Sequence, residues 1–262
     1  MAIVPTIFDK ILSPIITSDF SPSDGVPFPP SVTALWRWDM SAAPGVGFTF
    51  TDDGDGTGAI DEILDISGNS VIMEQTTGAS MPYYNLEFQN GMPGASFDGV
   101  QFMTSKVNYT MPASGNFCIS MAVKTISDNT SDSTFSVDGA GANFDFQMSA
   151  GSATQYLNRT NTSGVGTSIS PGTADYQSLT WANTAVFDWD SGTMHVYGNG
   201  VENTNGSQLY TAKLHSAQKL RLMANRNLGE MLEGVVFEVV AYEDPADRTT
   251  VEAYLNEKWV LY

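Results

Sequence analysis

The chain contains 262 residues, of which 42% are hydrophobic, so we expect a folded protein with a sizeable core rather than an intrinsically disordered one. Acidic residues outnumber basic residues by 29 to 11, and the formal net charge is −18. This field repels nucleic-acid phosphates and anionic lipid surfaces, and no apolar run is long enough to cross a membrane. We therefore expect no nucleic-acid partner and no membrane insertion.

The first thirty residues carry a pattern that differs from the rest of the chain. Apolar side chains recur there at the spacing of one helix face, and Pro14 should end or kink that helix. The apolar residues include Ile3, Ile7, Phe8, Ile11, Leu12 and Ile15. So short a segment cannot bury its own apolar face, and a proline-rich linker follows at residues 21–30. We predict that residues 1–30 form an arm that attaches the protein to a partner.

The expected compartment follows from the same segment and from the cysteine content. Asp9 and Lys10 interrupt the apolar start, which has no basic leading region, so it does not match a secretory signal. We expect synthesis in a cytoplasm without a signal peptide. Cys118 is the single cysteine, which excludes an intrachain disulfide, and its alternating neighbours predict an ordinary strand.

Residues 31–262 show short strand patterns separated by turns rich in Gly, Asn, Asp and Ser. The clearest strand segments are Val32–Asp39, Phe97–Met103, Phe117–Thr125, Thr134–Val137, Phe144–Met148, Ser178–Trp181, Ala185–Trp189, Met194–Tyr197, Leu220–Ala224 and Val235–Tyr242. Asp190-Ser191-Gly192 predicts a tight hairpin turn. Many short strands with few helical patterns predict an all-β sandwich or jelly roll.

One helix is predicted at the end of the chain. Asp244 is a suitable N-cap, Pro245 suits the first helical position, and Asp247 supplies an acidic group in the first turn. The apolar residues Val251, Tyr254, Leu255 and Trp259 then share one helix face. We expect that face to pack against the sandwich.

Six motifs in this region carry a family resemblance. They are Ala34–Asp39, Ile63–Asn69, Gly94–Gly99, Phe117–Lys124, Val196–Gly200 and Phe237–Trp259. In order and spacing they resemble motifs of concanavalin A-like, laminin-G-like jelly-roll domains, although Leu64 stands where the family commonly has Trp. The resemblance runs from about residue 33 to residue 262 and implies a concanavalin A-like jelly-roll β-sandwich with a C-terminal helix. Because this fold serves lectins, glycosidases, adhesion modules and bacteriophage virion proteins, it does not decide the activity.

The loop Thr51–Glu62 is the strongest local signal for a metal. Asp53, Asp55 and Glu62 occupy positions that carry calcium ligands in an EF-hand loop, and Gly56 matches its glycine position. The first position is Thr51 rather than Asp, and no helical pattern flanks the loop. Two interpretations therefore stay open: a looser Ca²⁺ site at Asp53, Asp55 and Glu62, and a solvated Asp-Gly turn. No cofactor is required.

Enzymatic activity has little support in the sequence. Glycoside hydrolysis needs two carboxylates about 5–10 Å apart, and jelly-roll glycanases usually supply them from a Glu-x-Asp-x-Glu strand. Glu233, Glu238 and Glu243 lie near the last strand pattern without forming that motif. His195 and His215 have no Gly-x-Ser-x-Gly partner motif, so a nucleophilic triad is also unsupported. We predict a non-enzymatic protein.

Glycan recognition would use exposed aromatic rings beside polar groups. Tyr83, Tyr84 and Tyr156 are the candidate stacking residues, because they lie in or beside polar turns. Trp189 and Tyr210 are in similar positions. Trp36, Trp181 and Trp259 are expected in the core, because they belong to strand or helix patterns.

Three hypotheses for function remain. The favoured one is a structural protein on the surface of a bacteriophage virion, either a head decoration or a tail fibre or spike component. Its partners would be other virion proteins, copies of itself and host-surface glycans. The resemblance, the apolar arm and the missing signal together favour it. A carbohydrate-binding, lectin-like module of a bacterial surface protein is the alternative, and a polysaccharide hydrolase is the third.

Overall fold

The chain is described here by a computed structural model. It describes residues 26–89, 91–110, 112, 115–126, 133–138, 144–151, 154–160, 166–169, 179–188, 190–191, 193–202, 208–209, 217–225, 228 and 231–261. The predicted attachment residues Ile3, Ile7, Phe8, Ile11, Leu12 and Ile15 lie outside these ranges.

Within the described residues the chain forms eighteen strands and one α-helix. In chain order the elements are β1 (Ala34–Asp39), β2 (Phe48–Asp52), β3 (Gly58–Ile63), β4 (Met73–Glu74), β5 (Tyr83–Gln89), β6 (Met92–Asp98), β7 (Met103–Ser105), β8 (Asn116–Thr125), β9 (Ser133–Asp138), β10 (Phe144–Gly151), β11 (Thr154–Thr160), β12 (Gly166–Ile169), β13 (Thr180–Asp188), β14 (Thr193–Gly198), β15 (Val201–Glu202), β16 (Gln208–Leu209), β17 (Leu220–Leu222), β18 (Glu233–Tyr242) and α1 (Arg248–Trp259). Short 3₁₀ turns occupy Gly78–Ser80 and Pro245–Asp247.

Antiparallel pairing arranges the strands into a β-sandwich, as predicted. One sheet has the order β14–β13–β8–β18–β1, and β6 lies beside the first half of β18. The other has the order β4–β7–β17–β9–β10–β11–β12. β3 joins the two at one side of the molecule, because it pairs with β2, β4 and β5.

The alternation of side chains along β8 places a separate core on each face of its sheet. Phe117, Ile119, Met121 and Val123 belong to the core between the two sheets. Cys118 and Ala122 belong to a second apolar cluster, which also contains the buried face of α1. Because successive strand residues face opposite sides, one strand contributes to both cores. The helix is therefore a third layer on the outer face of the first sheet.

The predicted C-terminal helix forms, although α1 begins at Arg248, after the predicted first helical position Pro245. Asp244 Oδ1 accepts a hydrogen bond from Ala246 N at 2.8 Å, and Pro245 begins a 3₁₀ turn that leads into α1. The predicted apolar face is buried: Val251, Tyr254, Leu255 and Trp259 are at most 3% exposed. With twelve residues α1 is short, and no helix in the described part of the chain is long and apolar enough to cross a membrane.

Some strand boundaries differ from the sequence patterns. The predicted strand Phe97–Met103 is divided into β6 and β7, because the chain turns at Gly99, whose φ of +85° is left-handed. The single strand β13, Thr180–Asp188, instead takes in residues of both predicted segments, Ser178–Trp181 and Ala185–Trp189. Ser178 and Trp189 themselves lie outside the described residues. Trp36, Trp181 and Trp259 are fully buried, which confirms their predicted place in the core.

The described chain packs on the sandwich before residue 31. Val26 and Phe28 contact the second apolar cluster. The Phe28 ring lies edge-on to Tyr254 at 5.3 Å, and the Arg37 guanidinium stacks over it at 4.6 Å. The end of the predicted arm is therefore part of the jelly-roll domain, which begins by residue 26.

Candidate functional site

An exposed hairpin edge brings together the candidate loop and one candidate tyrosine. β2 and β3 pair antiparallel up to Asp52 and Gly58, and β5 pairs with the start of β3, so that Ala59 lies opposite Tyr83. A Cβ atom on Gly58 would lie 1.9 Å from the Thr51 carbonyl oxygen, so only glycine allows this close approach. The pairing places the 53–57 loop beside the exposed side chain of Tyr83.

The loop is held by its own aspartates. Asp52 Oδ1 accepts hydrogen bonds from the backbone N–H groups of Gly54 at 2.7 Å and Gly56 at 3.1 Å. Asp55 Oδ1 accepts from Thr57 N at 3.0 Å and from Thr57 Oγ1 at 2.5 Å. These hydrogen bonds from Thr57 lower the pKa of Asp55. The loop is thus an ordered acidic turn, because side-chain oxygens satisfy its backbone donors.

The Tyr83 hydroxyl connects β5 to this loop. It donates to Asp53 Oδ2 at 2.7 Å and lies 2.9 Å from Thr57 Oγ1. The hydrogen bond to Asp53 raises the pKa of Tyr83. The side chain is 37% exposed, so its position is fixed while part of its surface stays open to solvent. An oriented aromatic ring beside carboxylate and hydroxyl groups is an arrangement suited to a polyhydroxylated ligand.

Glu62 is not part of this loop cluster. It pairs with Thr49 and Glu74 further along β3, and its Oε1 lies 2.5 Å from Lys106 Nζ in a salt bridge. Among the residues that the structure describes, no group of three or more His, Cys, Asp or Glu side chains is placed to hold a metal ion. Calcium binding by Asp53, Asp55 and Glu62 therefore stays a prediction, and the three side chains do not form a ready-made site.

The prediction for Tyr84 is wrong. Tyr84 follows Tyr83 on β5 and therefore faces the interior, where it is only 1% exposed and packs 4.2 Å from Phe48, ring to ring. A ring in that position cannot stack on a glycan. Tyr156 lies on β11, but its side chain is outside the described part of the structure. Trp189, Tyr210 and His215 also lie outside the described residues.

A second arrangement, which the sequence analysis missed, is a buried charge cluster beneath α1. Glu238 on β18 accepts hydrogen bonds from Arg37 Nε at 2.6 Å, Lys258 Nζ at 2.8 Å, Tyr254 OH at 2.9 Å and Trp259 Nε1 at 3.0 Å. Asp39 Oδ2 accepts from Arg37 Nη2 at 2.7 Å and from Lys258 Nζ at 2.6 Å. Two cations thus neutralise two carboxylates. The sequence feature that could have indicated this cluster is Glu238, which interrupts the otherwise apolar run Val235–Tyr242.

Both carboxylates of this cluster are buried and paired with cations. Burial alone would raise the pKa of Asp39, but the charges of Lys258 and Arg37 outweigh burial and lower it. The side chains of Asp39 and Glu238 are only 6% and 0% exposed. His195 is elsewhere, paired through Nδ1 with Glu202 Oε1 at 2.6 Å on the β14–β15 hairpin. The cluster instead attaches the helix to the sheet.

Comparison with known proteins agrees with this architecture. A family model described as concanavalin A-like lectin/glucanases superfamily, of the laminin G type, matches residues 95–252. A search of curated protein sequences found no match.

Solved structures with a similar fold include three toxin domains. The binding domain of Paraclostridial Mosquitocidal Protein 1 is 14% identical with a TM-score of 0.57, and the match covers 80% of this chain and 52% of that one. The receptor-binding domain of botulinum neurotoxin type G is 13% identical with a TM-score of 0.58, and the match covers 86% of this chain and 51% of that domain. The receptor-binding domain of botulinum neurotoxin D is 11% identical with a TM-score of 0.57, and the match covers 86% of this chain and 52% of that domain. The chain spans about half the length of these domains, and such low identity shows the fold alone.

Proposed function

The chain belongs to the concanavalin A-like lectin/glucanase superfamily, and on this basis we propose that it is a non-catalytic binding module for glycans. The observation that carries the proposal is the exposed Tyr83 side chain, held beside Asp53 and Thr57 at the hairpin edge. Sugar rings present apolar C–H faces and hydroxyl groups, which match an aromatic ring and adjacent oxygen acceptors. Recognition at loops on a fixed scaffold is also common among binding proteins.

A binding role fits the chemistry better than hydrolysis. The two carboxylates that lie together in the charge cluster, Asp39 and Glu238, are neutralised and buried beneath α1. The hairpin carboxylates of Asp52 and Asp55 accept hydrogen bonds from their own loop. The toxin domains of similar fold are described as binding or receptor-binding domains, and we extend that role to this chain.

A glycan array with the multimerised protein tests this proposal. Multimerisation is needed because single sites of this kind bind weakly and many copies supply avidity. Tyr83→Ala removes the ring, and Tyr83→Phe keeps the ring but removes the hydroxyl. We expect binding by the wild type and Tyr83→Phe, and at least a tenfold loss for Tyr83→Ala. Val201→Ala, at an exposed position on β15, is the matched control and should bind as wild type. Equal binding by Tyr83→Ala would overturn the proposed site.

The same array should be run with Ca²⁺ and with a chelator. We expect binding without added calcium, because the aspartates of the loop already bond within it. A calcium-dependent rise in melting temperature that Asp53→Asn abolishes would show that the loop rearranges around an ion.

For the biological setting we propose the surface of a bacteriophage virion, as a head decoration or a tail fibre or spike component. The apolar pattern of residues 3–15 supports attachment to other virion proteins or to copies of the chain. Avidity from many copies on one particle would compensate for weak single sites. Mass spectrometry of purified particles tests the setting. If the protein is absent from the particles but binds glycans in the array, the lectin-like module of a bacterial surface protein is favoured.

A further inference from the structure

A cleft of about 440 Å³ opens beside Arg37, on the side of the first sheet where the chain enters the domain. Phe28, Val32 and Thr33 line it from the entering segment, and Ile66 and Asn69 line it from the turn after β3. Its volume falls in the range of about 300–1,000 Å³ that is usual for small-ligand sites. The cleft shares no lining residue with the hairpin edge around Tyr83, so the two places are separate.

Arg37 provides hydrogen-bond donors at this cleft. Its Nε and Nη2 atoms are engaged with Glu238, Asp39 and Tyr254 at 2.6–2.7 Å. Because the guanidinium is planar and Phe28 stacks on it, these bonds fix the orientation of the whole group. Nη1 donates no hydrogen bond within the described residues, although it carries two N–H groups. The side chain is 15% exposed and lines the cleft, so a ligand can reach it.

Asn69 provides an acceptor at the same cleft. Its Nδ2 donates to the Ala34 carbonyl oxygen at 3.1 Å and to Ser67 Oγ at 3.2 Å, which uses both N–H groups and fixes the amide. Oδ1 accepts no hydrogen bond from the described residues. The exposed Thr33 side chain adds a hydroxyl, and the Phe28 and Ile66 side chains supply apolar surface. The walls therefore offer donors, an acceptor and apolar contacts together.

From this set we infer that the cleft binds one uncharged sugar residue. Neighbouring sugar hydroxyls both donate and accept, so they match the Arg37 donors and the Asn69 acceptor. An anion is disfavoured, because Asp39 and Glu238 already neutralise Arg37 and Lys258, and the whole chain carries a charge of −18. The inference rests on the proposed glycan binding for its ligand class and adds a second subsite, which the N-terminal segment helps to build.

An NMR titration of the full chain tests this inference. The free sugars added are glucose, galactose, mannose and N-acetylglucosamine. We expect saturable shifts of the Arg37 and Asn69 side-chain resonances for at least one of these sugars at millimolar concentration. Thr33→Trp should fill the cleft and weaken this binding at least tenfold. Thr33→Ser should bind as wild type, because it keeps the hydroxyl group and leaves the cleft open.

Three outcomes overturn the cleft as a neutral-sugar site. The first is no shift at Arg37 or Asn69 with any of the sugars, and the second is unchanged affinity in Thr33→Trp. The third is that glucuronate, titrated in parallel, shifts these resonances while none of the four neutral sugars does, which would assign the cleft to anions. Asn69→Ala, checked for an unchanged melting temperature, provides a second variant should Thr33→Trp fail to fold. None of these outcomes affects binding at Tyr83, which the glycan array reports separately.

Discussion

Lys258 Nζ lies 2.8 Å from Glu238 Oε2, and the two side chains are 2% and 0% exposed. This pair joins the last turn of α1 to the middle of β18. Arg37 and Asp39 from β1 complete the neutral cluster around it. Because isolated charges are strongly disfavoured in the interior, each member depends on the others to remain buried.

Removing one member should therefore destabilise the fold severely. We expect Lys258→Met to lower the free energy of unfolding by about 3–5 kcal/mol, because it leaves buried carboxylates without a cation. Urea denaturation measures this loss. Lys106→Met is the matched control, because the Lys106–Glu62 pair is largely exposed, at 49% and 28%, and an exposed pair contributes about 0–1 kcal/mol. Equal effects of the two substitutions would show that the cluster does not stabilise the fold.

The same cluster predicts that the free energy of unfolding falls as the pH is lowered into the acid range. The pKa of Asp39 is lowered from 3.8, because Lys258 and Arg37 outweigh the effect of burial. The unfolded chain thus binds a proton at Asp39 more readily than the folded chain, so folded stability rises with pH in this range. The contribution of Asp39 is complete above pH 3.8 and is lost as the pH falls through its folded pKa.

Asp39→Asn is the variant that tests this dependence. It should be less stable than the wild type at pH 7, and the difference should shrink steadily below pH 3.8. Denaturation curves recorded at several pH values measure the difference. A gap between the two proteins that stays constant down to the lowest pH would contradict the assigned charge of Asp39.

The sequence predicted the fold more completely than it predicted the residues of the candidate site. The alternating residues around Cys118 correctly predicted a strand, which is β8. The capping pattern at Asp244 and Pro245 correctly indicated a helical segment, which starts as a 3₁₀ turn and continues as α1. Alternation also implies that adjacent residues such as Tyr83 and Tyr84 face opposite sides, but it does not say which one is exposed. The sequence pattern therefore identified the right segment and included one wrong tyrosine.

The charge cluster was beyond sequence reasoning for a different reason. Arg37 and Glu238 are separated by 201 positions, and they meet only because β1 and β18 pair with Asp39 opposite Glu238. No local pattern encodes such a pairing. The packing of the entry segment was missed for a related reason: its prolines predict a linker, whereas Phe28 packs against Arg37 and Tyr254.

Cys118 should be inert in the native protein. Burial raises the pKa of its thiol well above the ordinary value of 9.0, and nearby Asp244 and Asp247 raise it further. The thiolate is the reactive form, so iodoacetamide should not label the folded chain and should label it fully in denaturant. Mass spectrometry after timed exposure gives the labelled fraction. Rapid labelling under native conditions would show that α1 opens from the sheet.

Truncation should locate the start of the folded domain. Deleting residues 1–25 should leave the melting temperature unchanged, because we predict that this apolar segment attaches the protein to a partner rather than to its own core. Deleting residues 1–30 should lower it, since Phe28 then no longer covers Arg37 and Tyr254. In the full chain Phe28→Ala should account for most of that loss, about 1–3 kcal/mol for a half-buried aromatic ring, whereas Pro30→Ala, at an exposed position, should have little effect. Equal melting temperatures for the two truncated chains would restore residue 31 as the boundary and leave Phe28 as part of the arm.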